Sequence, residues 1–249
     1  AAPNPLAVVA GGVHVYGADG WLDLPTTLAY SSADDPVFVA TTSDDLTAFI
    51  GPGDRIRLTQ SATVKYFVVV AITAATMTLY GGTDYDLANA AISAVSFSKW
   101  KSPVGFPLDS LKWTVEATDV TQRTQATPTA GTWYNLSGVS FNAPIGAWLL
   151  SWSAVLYAEE NAAFWRVRGT LSTSNSGESD PQMTRQFYEN VGGATALDAQ
   201  VPVSKQRHVL LAAKTTYYMN VRTDTVGVNA IGFLNNEETA IMRAVCAYL

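Results

Sequence analysis

The chain has 249 residues, a formal net charge of −6, a hydrophobic fraction of 48% and only 14% charged residues. These values exclude a disordered chain, argue against nucleic acid as a partner, and allow one large or two modest domains. No stretch supplies the roughly 18 consecutive apolar residues that a membrane helix needs, so no membrane insertion is expected. A surface this poor in charge predicts that part of it is covered by oligomerisation.

The first 100 residues are predicted to form an arm and a small β-barrel. Residues 1–25 are weakly patterned and rich in Pro and Gly, which is typical of an N-terminal arm. Over residues 26–100, turn signals at 34–36 and 51–54 separate short runs that alternate with the period of two expected of strands. The predicted strands cover residues 37–40, 55–60, 64–72 and 76–80.

One short helix is expected at the end of this barrel. Gly81 and Gly82 stop the preceding strand, and Thr83 or Asp84 can cap a helix over residues 85–92. The carboxylates of Asp84 and Asp86 suit the positive end of its dipole. Four or five short strands and one helical turn predict a small, partly open barrel.

A Pro- and Gly-containing linker over residues 101–110 leads into a second β unit, residues 111–249. Eight strands over about 140 residues are typical of a sandwich, and the jelly roll is its usual eight-stranded form. The fold class is therefore all-β, a small N-terminal β-barrel followed by a jelly-roll-like sandwich. The last strand has few polar residues and is expected to be central, whereas residues 174–200 are expected to be loop. The predicted strands cover residues 113–118, 132–141, 146–158, 164–172, 201–211, 216–223, 230–233 and 239–248.

Catalytic chemistry is sparse. The two histidines, His14 and His208, are the available imidazole bases, and no nucleophile elbow accompanies them. The acidic pairs are adjacent in sequence, so in a strand they point to opposite faces and do not converge on one bond. The single cysteine, Cys246, excludes a disulfide within this sequence and is expected to be a small buried hydrophobic residue. The chain is predicted to be no enzyme and to use no metal or cofactor, with a glycosidase kept as an alternative.

Three loops, near residues 159–163, 174–181 and 235–238, are expected to be displayed, and the first and third supply the candidate ligand or receptor residues. Aromatic rings that stack on sugars and amides that read hydroxyls suit carbohydrate recognition. For the tryptophans the alternative is a place in the core or in a subunit interface, where their area is buried. The candidate residues are Glu159, Asn161, Phe164, Trp165, Asn235 and Asn236.

Several runs resemble minor structural proteins, from the tail or head surface, of tailed bacteriophages and prophages. The runs are GDRIRLTQ at 53–60, VKYFVV at 64–69, LYGGTDYDLANAAI at 79–92, PVGFP at 103–107, KWTVE at 112–116 and MRAVCAYL at 242–249. The resemblance spans residues 20–249 and implies a virion protein that contacts other virion proteins, without transferring any catalytic residue. The larger unit also resembles jelly-roll modules that assemble as trimers in phage fibres.

The resemblance leaves several functions open. An exposed tail or host-adhesion component, a homotrimer that binds a host cell-surface glycan, is preferred. A capsid decoration or head-fibre protein is the first alternative, and a carbohydrate-binding module outside a virion is the second.

Overall fold

A computed structural model describes residues 6–9, 12–15, 17–24, 26–83, 86–160, 164–190, 197–233 and 239–249. Within these ranges the chain is all-β, as predicted, with one 3₁₀ turn at Pro181–Met183 and no α-helix. The strands are β1 (Leu6–Val9), β2 (Gly12–Val15), β3 (Leu22–Asp23), β4 (Leu28–Asp34), β5 (Val37–Thr42), β6 (Arg55–Gln60), β7 (Thr63–Ile72), β8 (Thr76–Tyr80), β9 (Ile92–Ser98), β10 (Thr114–Asp119), β11 (Arg123–Ala126), β12 (Trp133–Ala143), β13 (Gly146–Glu160), β14 (Phe164–Ser172), β15 (Thr184–Asn190), β16 (Leu197–Leu211), β17 (Thr215–Thr223), β18 (Ala230–Phe233) and β19 (Ala240–Cys246).

A seven-stranded sheet in the N-terminal part of the chain forms the small barrel. Its order is β3-β9-β6-β7-β8-β5-β4, all antiparallel, and β4 returns to contact β9, so the sheet curls into a partly open barrel. Alternate side chains point inward, as the period of two predicts, and Ile56, Leu58 and Phe67 are fully buried there. The predicted turn at 51–54 is present, with Gly53 at φ +95°, a conformation that favours glycine.

The helix expected over residues 85–92 is wrong for the described residues, 86–92. The side chain of Gln60 forms hydrogen bonds with backbone N–H and carbonyl groups that a helix would pair with each other. Its Nε2 donates to the carbonyls of Ala88 (2.8 Å) and Ala90 (3.2 Å), and its Oε1 accepts the N–H of Ala88 at 2.9 Å. A buried amide from a neighbouring strand therefore holds this segment open, and local capping signals do not prevail.

The C-terminal unit is a jelly roll built around β13. This 15-residue strand pairs along its whole length with β16, and its other edge pairs with β18 and then β19. In turn, β11 pairs with β18 and β10 pairs with β19. Thus β18 and β19 together occupy the strand position next to β13, and β10 and β11 together occupy the position beyond it.

The facing sheet has the order β12-β17-β14-β15. The first and last strands of the unit, β10 and β19, lie side by side, and the chain otherwise alternates between sheets except at the β14–β15 hairpin. This interleaving is that of a jelly roll, which confirms the predicted fold.

Two strands of the unit are absent from the prediction. β15 lies inside the region expected to be loop, residues 174–200, and β11 falls between two predicted strands. Both are edge strands with mostly exposed, polar side chains, so their sequences lack a continuous buried face. The last strand, β19, is central as predicted, although only one of its faces is fully buried.

The barrel and the jelly roll share one apolar cluster. Tyr80 from the barrel packs against Trp113 and, edge-on at 5.0 Å between ring centroids, against Trp148. Arg55 is fully buried beside them, and its guanidinium donates to the carbonyls of Lys101 (3.2 Å) and Tyr248 (2.9 Å). The division at residues 25, 100 and 110 stays a prediction, and residues from both sides of it pack together here.

Candidate functional site

The ends of β11, β13, β15 and β17 and the starts of β12, β14, β16 and β18 lie at one end of the jelly roll, and we call this end the tip. Glu159 stands at the tip on β13, where the hydroxyl of Tyr157 donates to its Oε2 at 3.2 Å. The backbone of Phe164 begins β14. Of the other candidates, Asn161, Asn235 and Asn236 lie outside the described residues.

Trp165 belongs to the interior. Its side chain is fully buried and packs edge-on against Phe187, with ring centroids 4.7 Å apart. A ring in this position offers no face to a sugar, so the core interpretation of Trp165 applies and its assignment to a binding loop does not. Cys246 is also buried, as predicted, and burial raises the pKa of its thiol to about 11.

Next to the tip, the outer face of the sheet β12-β17-β14-β15 carries a group of cationic side chains. The register places Arg168 opposite Arg222, and Arg222 opposite Trp133 on the next strand. Arg166 lies two residues before Arg168 and therefore shares its face. We call Arg166, Arg168, Arg222 and Asp224 the arginine face.

Three guanidinium groups of the arginine face surround one carboxylate. Asp224 Oδ1 accepts Nε and Nη2 of Arg222 at 2.8 and 2.5 Å, and Oδ2 lies 2.8 Å from Nε of Arg168. Nη1 of Arg166 is farther from Oδ2, at 3.7 Å. Asp224 Oδ2 and the Nε atoms of Arg166 and Arg168 are buried without a hydrogen-bond partner among the described residues, so the Arg168–Asp224 contact is an ion pair only. The group therefore carries a formal charge of +2, and its side chains are between 18% and 38% exposed.

The surroundings hold these charges in place. Arg222 lies over the ring of Trp133, 5.5 Å from its centroid, in a cation–π contact. Partial burial acts to raise the pKa of Asp224, but the hydrogen bonds from Arg222 and the charges of Arg168, Arg222 and Arg166 outweigh it and lower that pKa. The carboxylate thus stays ionised and orients the guanidinium groups.

A groove continues the arginine face. The polar segment 173–180 folds back over the same sheet, held by Asn220, whose Nδ2 donates to the carbonyls of Ser174 and Gly177 at 2.8 Å each. Between this segment and β14–β15 lies a groove of about 320 Å³ that begins at Arg168. Its other lining residues are Glu178, Pro181, Thr184, Arg185 and Gln186.

The sequence contained only part of the signal for this site. The i, i+2 spacing of Arg166 and Arg168 places both on one face of a strand, but such pairs are usually solvated edges. Arg222 and Asp224 are more than 50 residues away. They join Arg166 and Arg168 only because β17 lies beside β14, a pairing that no local pattern reveals.

The outer face of the other jelly-roll sheet, which contains β13 and β16, carries few charged side chains. Across its four strand positions the described side chains are mostly hydroxyl, amide and aliphatic groups, and the charges are one ion pair, Glu116–Arg243, with Arg185 and Lys205 at the edge and Glu159 at the tip. We call this surface the sparsely charged face. It includes Leu149, Ser151, Ser153, Ser204, Gln206, His208, Leu210, Ile241 and Val245.

One border of that face is the free edge of β16. Its pairing partner among the described strands is β13, and the carbonyl of Ser204 points away from β13 to accept Nε of Arg185 at 3.2 Å. Pro202, in phase with Ser204, presents no N–H on this edge. Leu210, near the end of the strand, is 77% exposed.

The described residues contain no group of three or more His, Cys, Asp or Glu side chains arranged to hold a metal ion. None of their helical segments is long and apolar enough to cross a membrane.

These features define a jelly-roll protein with a docked β-barrel and two chemically different sheet faces. No protein-family model matches the chain, and no curated protein matches it. Solved structures that match include infectious bursal disease virus, Gx strain, at 9% identity over 98% of this chain and 73% of that chain, with a TM-score of 0.32. The VP2 subviral particle of infectious bursal disease virus matches at 12% identity over 98% of this chain and 66% of that chain, with a TM-score of 0.34.

A third match is dimeric latent PorU from Porphyromonas gingivalis. It is 9% identical over 91% of this chain and 24% of that chain, with a TM-score of 0.30. The chain thus spans between about a quarter and three quarters of these proteins. Likenesses at such identities and TM-scores establish no function for it.

Proposed function

We propose that this chain is a non-enzymatic structural protein of a virus particle, an exposed tail or host-adhesion component that assembles as a homotrimer. The observation that carries the proposal is the sparsely charged face, a sheet surface bordered by the edge strand β16. The sequence resemblance to structural proteins of tailed bacteriophages agrees with it.

The size of the face suits a subunit contact. Two of its strands have 15 residues, which corresponds to a length of about 50 Å at about 3.3 Å per residue. Four strand positions about 4.8 Å apart give a width of about 15 Å, and hence roughly 750 Å². A standard stable interface buries about 800 Å² on each partner, so one such face approaches the required area.

Its chemistry suits a contact as well. The central parts of interfaces are depleted of charged side chains, and the ion pair Glu116–Arg243 leaves this face without net charge in its middle. The opposite side of the jelly roll, with the arginine face, remains open to solvent in such an assembly. A particle component with one buried and one displayed face fits an exposed position, where several tethered sites add their affinities.

The first prediction tests the assembly. Light scattering of the wild type is expected to show a monodisperse trimer, whereas Leu210→Lys, which places a charge on the face, is expected to shift the population toward monomer. Because Leu210 is 77% exposed, the substitution leaves the fold intact. The matched control is Val226→Lys, at an 83% exposed position in the connection from β17 to β18. A monomeric wild type would contradict the proposal and favour a carbohydrate-binding module.

The place of the protein in the virus particle and its lack of catalytic activity are tested separately. Binding to host cells but not to empty capsids supports the adhesion role, and the reverse result identifies a capsid decoration or head-fibre protein. Incubation with host wall material is expected to release no reducing sugar. Release of sugar would overturn the non-enzymatic assignment.

A further inference from the structure

We infer that the arginine face is a binding site for an anionic group, a carboxylate or sulfate carried by an acidic saccharide. This inference deepens the proposed adhesion role, since it names the class of receptor. It rests on the contacts of the described residues and needs no particular number of subunits.

The site has more donors than its own carboxylate can use. Arg222 occupies Oδ1 of Asp224 with two hydrogen bonds, and Arg168 makes an ion pair with Oδ2 but no hydrogen bond. The guanidinium of Arg166, 38% exposed, lies 3.7 Å from Oδ2, so donors of Arg166 and Arg168 remain unused. Planar guanidinium groups bind carboxylates and sulfates through paired, charge-assisted hydrogen bonds. A formal charge of +2 on a half-buried surface is compensated when such an anion binds.

The site is also organised in advance. Asp224 fixes Arg222 and Arg168, and the ring of Trp133 supports Arg222 from below. Asp224 is itself fixed, because its N–H donates to the carbonyl of Arg166 at 3.2 Å. Side chains that are held in place lose less conformational entropy when a ligand binds, which raises affinity.

The adjoining groove favours a saccharide over another polyanion. Gln186 supplies an amide group, which pairs with sugar hydroxyls, and Glu178, whose Oε1 accepts the hydroxyl of Thr184, is a further acceptor in the same groove. The chain's net charge of −6 opposes the closely spaced phosphates of nucleic acid. An acidic saccharide has separated charges, which the arginine face binds, and neutral hydroxyls, which pair with the polar groups of the groove.

The test is calorimetric titration of the whole chain with three polymers at low ionic strength. Dextran sulfate of low substitution carries sulfates on separated sugars, polygalacturonate carries carboxylate, and dextran is neutral. Binding of one or both acidic polymers is expected, with no binding of dextran and with affinity that falls as salt is added. Binding of both identifies a general anion site, and binding of one identifies the preferred group.

Substitutions locate the site. Arg166→Gln is expected to weaken binding roughly tenfold or more, the loss that follows when one charge-assisted hydrogen bond is removed. Lys99→Gln, which removes an exposed charge from the barrel, is the control and is expected to leave binding unchanged. If Arg166→Gln perturbs folding, protection from hydrogen exchange in β14 and β17 of the wild type on adding polymer provides the same test.

Two results would overturn the inference. One is failure of both acidic polymers to bind at millimolar concentration, and the other is binding that Arg166→Gln leaves unchanged while β14 and β17 show no protection. Either result leaves the trimer and its response to Leu210→Lys unaffected. Conversely, a monomeric chain that binds acidic polymers retains this site and loses only the proposed assembly.

Discussion

Buried polar side chains at the junction of barrel and jelly roll have unequal hydrogen bonding. Arg55 has carbonyl acceptors for its guanidinium, whereas the hydroxyl of Tyr80, in the same cluster, has no partner among the described residues. Burial raises the pKa of Tyr80 well above its usual range, so the hydroxyl stays protonated. The ring contributes packing, and its oxygen contributes a desolvation cost.

This contrast predicts that Tyr80→Phe stabilises the protein. Removing an unsatisfied buried hydroxyl while keeping the ring is expected to raise the free energy of unfolding by about 1 kcal/mol. Urea denaturation followed by tryptophan fluorescence measures the change. A loss of stability of similar size would show that the hydroxyl has a partner after all.

Single residues also show what the sequence could and could not predict. The burial of Cys246 follows from its apolar strand, and the structure confirms it. Trp165 could not be assigned to one side, because it and Phe164 are adjacent and the sequence does not say which of them points inward. The arginine face requires the neighbouring positions of β14 and β17, which depend on the tertiary fold.

At the scale of elements, alternation predicted most strands of the jelly roll, including the edge strands β10, β12 and β16. It did not predict the edge strands β11 and β15, or β3, β4 and β9 of the barrel. β13 and β19 alternate between core and surface positions, whereas β15 places only Phe187 as a large apolar side chain facing the core within its described part. The helix expected at 85–92 failed for a different reason. Its signals were local, and the competing hydrogen bonds come from Gln60, on a strand more than 20 residues away.

The pairing of β11 with β18 predicts a strict requirement for glycine at position 232. A Cβ on Gly232 would lie 1.9 Å from the carbonyl oxygen of Arg123, a distance that forces the two strands apart. Gly232→Ala is therefore expected to cost about 2–3 kcal/mol of stability, measured by denaturant titration. Gly51→Ala is the control, because a Cβ there meets no atom within 4 Å and its effect is expected to stay within about 0.5 kcal/mol. Equal effects at both positions would count against this explanation.

At the scale of the whole molecule, the shared apolar cluster couples the barrel to the jelly roll. Val68, Val70 and Tyr80 of the barrel belong to the same cluster as Trp113 and Trp148. Lys214, between β16 and β17, adds an ion pair with Asp34 of the barrel. Two units that share buried side chains are expected to unfold together.

Calorimetry is the measurement for this coupling. One cooperative transition is expected for the wild type, and Tyr80→Ala, which leaves a cavity at the junction, is expected to lower the stability of the whole chain by about 3 kcal/mol. Tyr80→Phe is the matched control, since it keeps the ring. Two separate transitions, with Tyr80→Ala affecting one of them, would show that the units are independent.

The side-by-side position of β10 and β19 has a consequence for biosynthesis. More than a hundred residues separate these neighbours, so β10 leaves the ribosome long before its partner exists. Contacts between such distant segments slow folding and leave strand edges exposed to aggregation while synthesis continues. The edge of β10 that pairs with β19 therefore has no partner strand until residues 240–246 emerge.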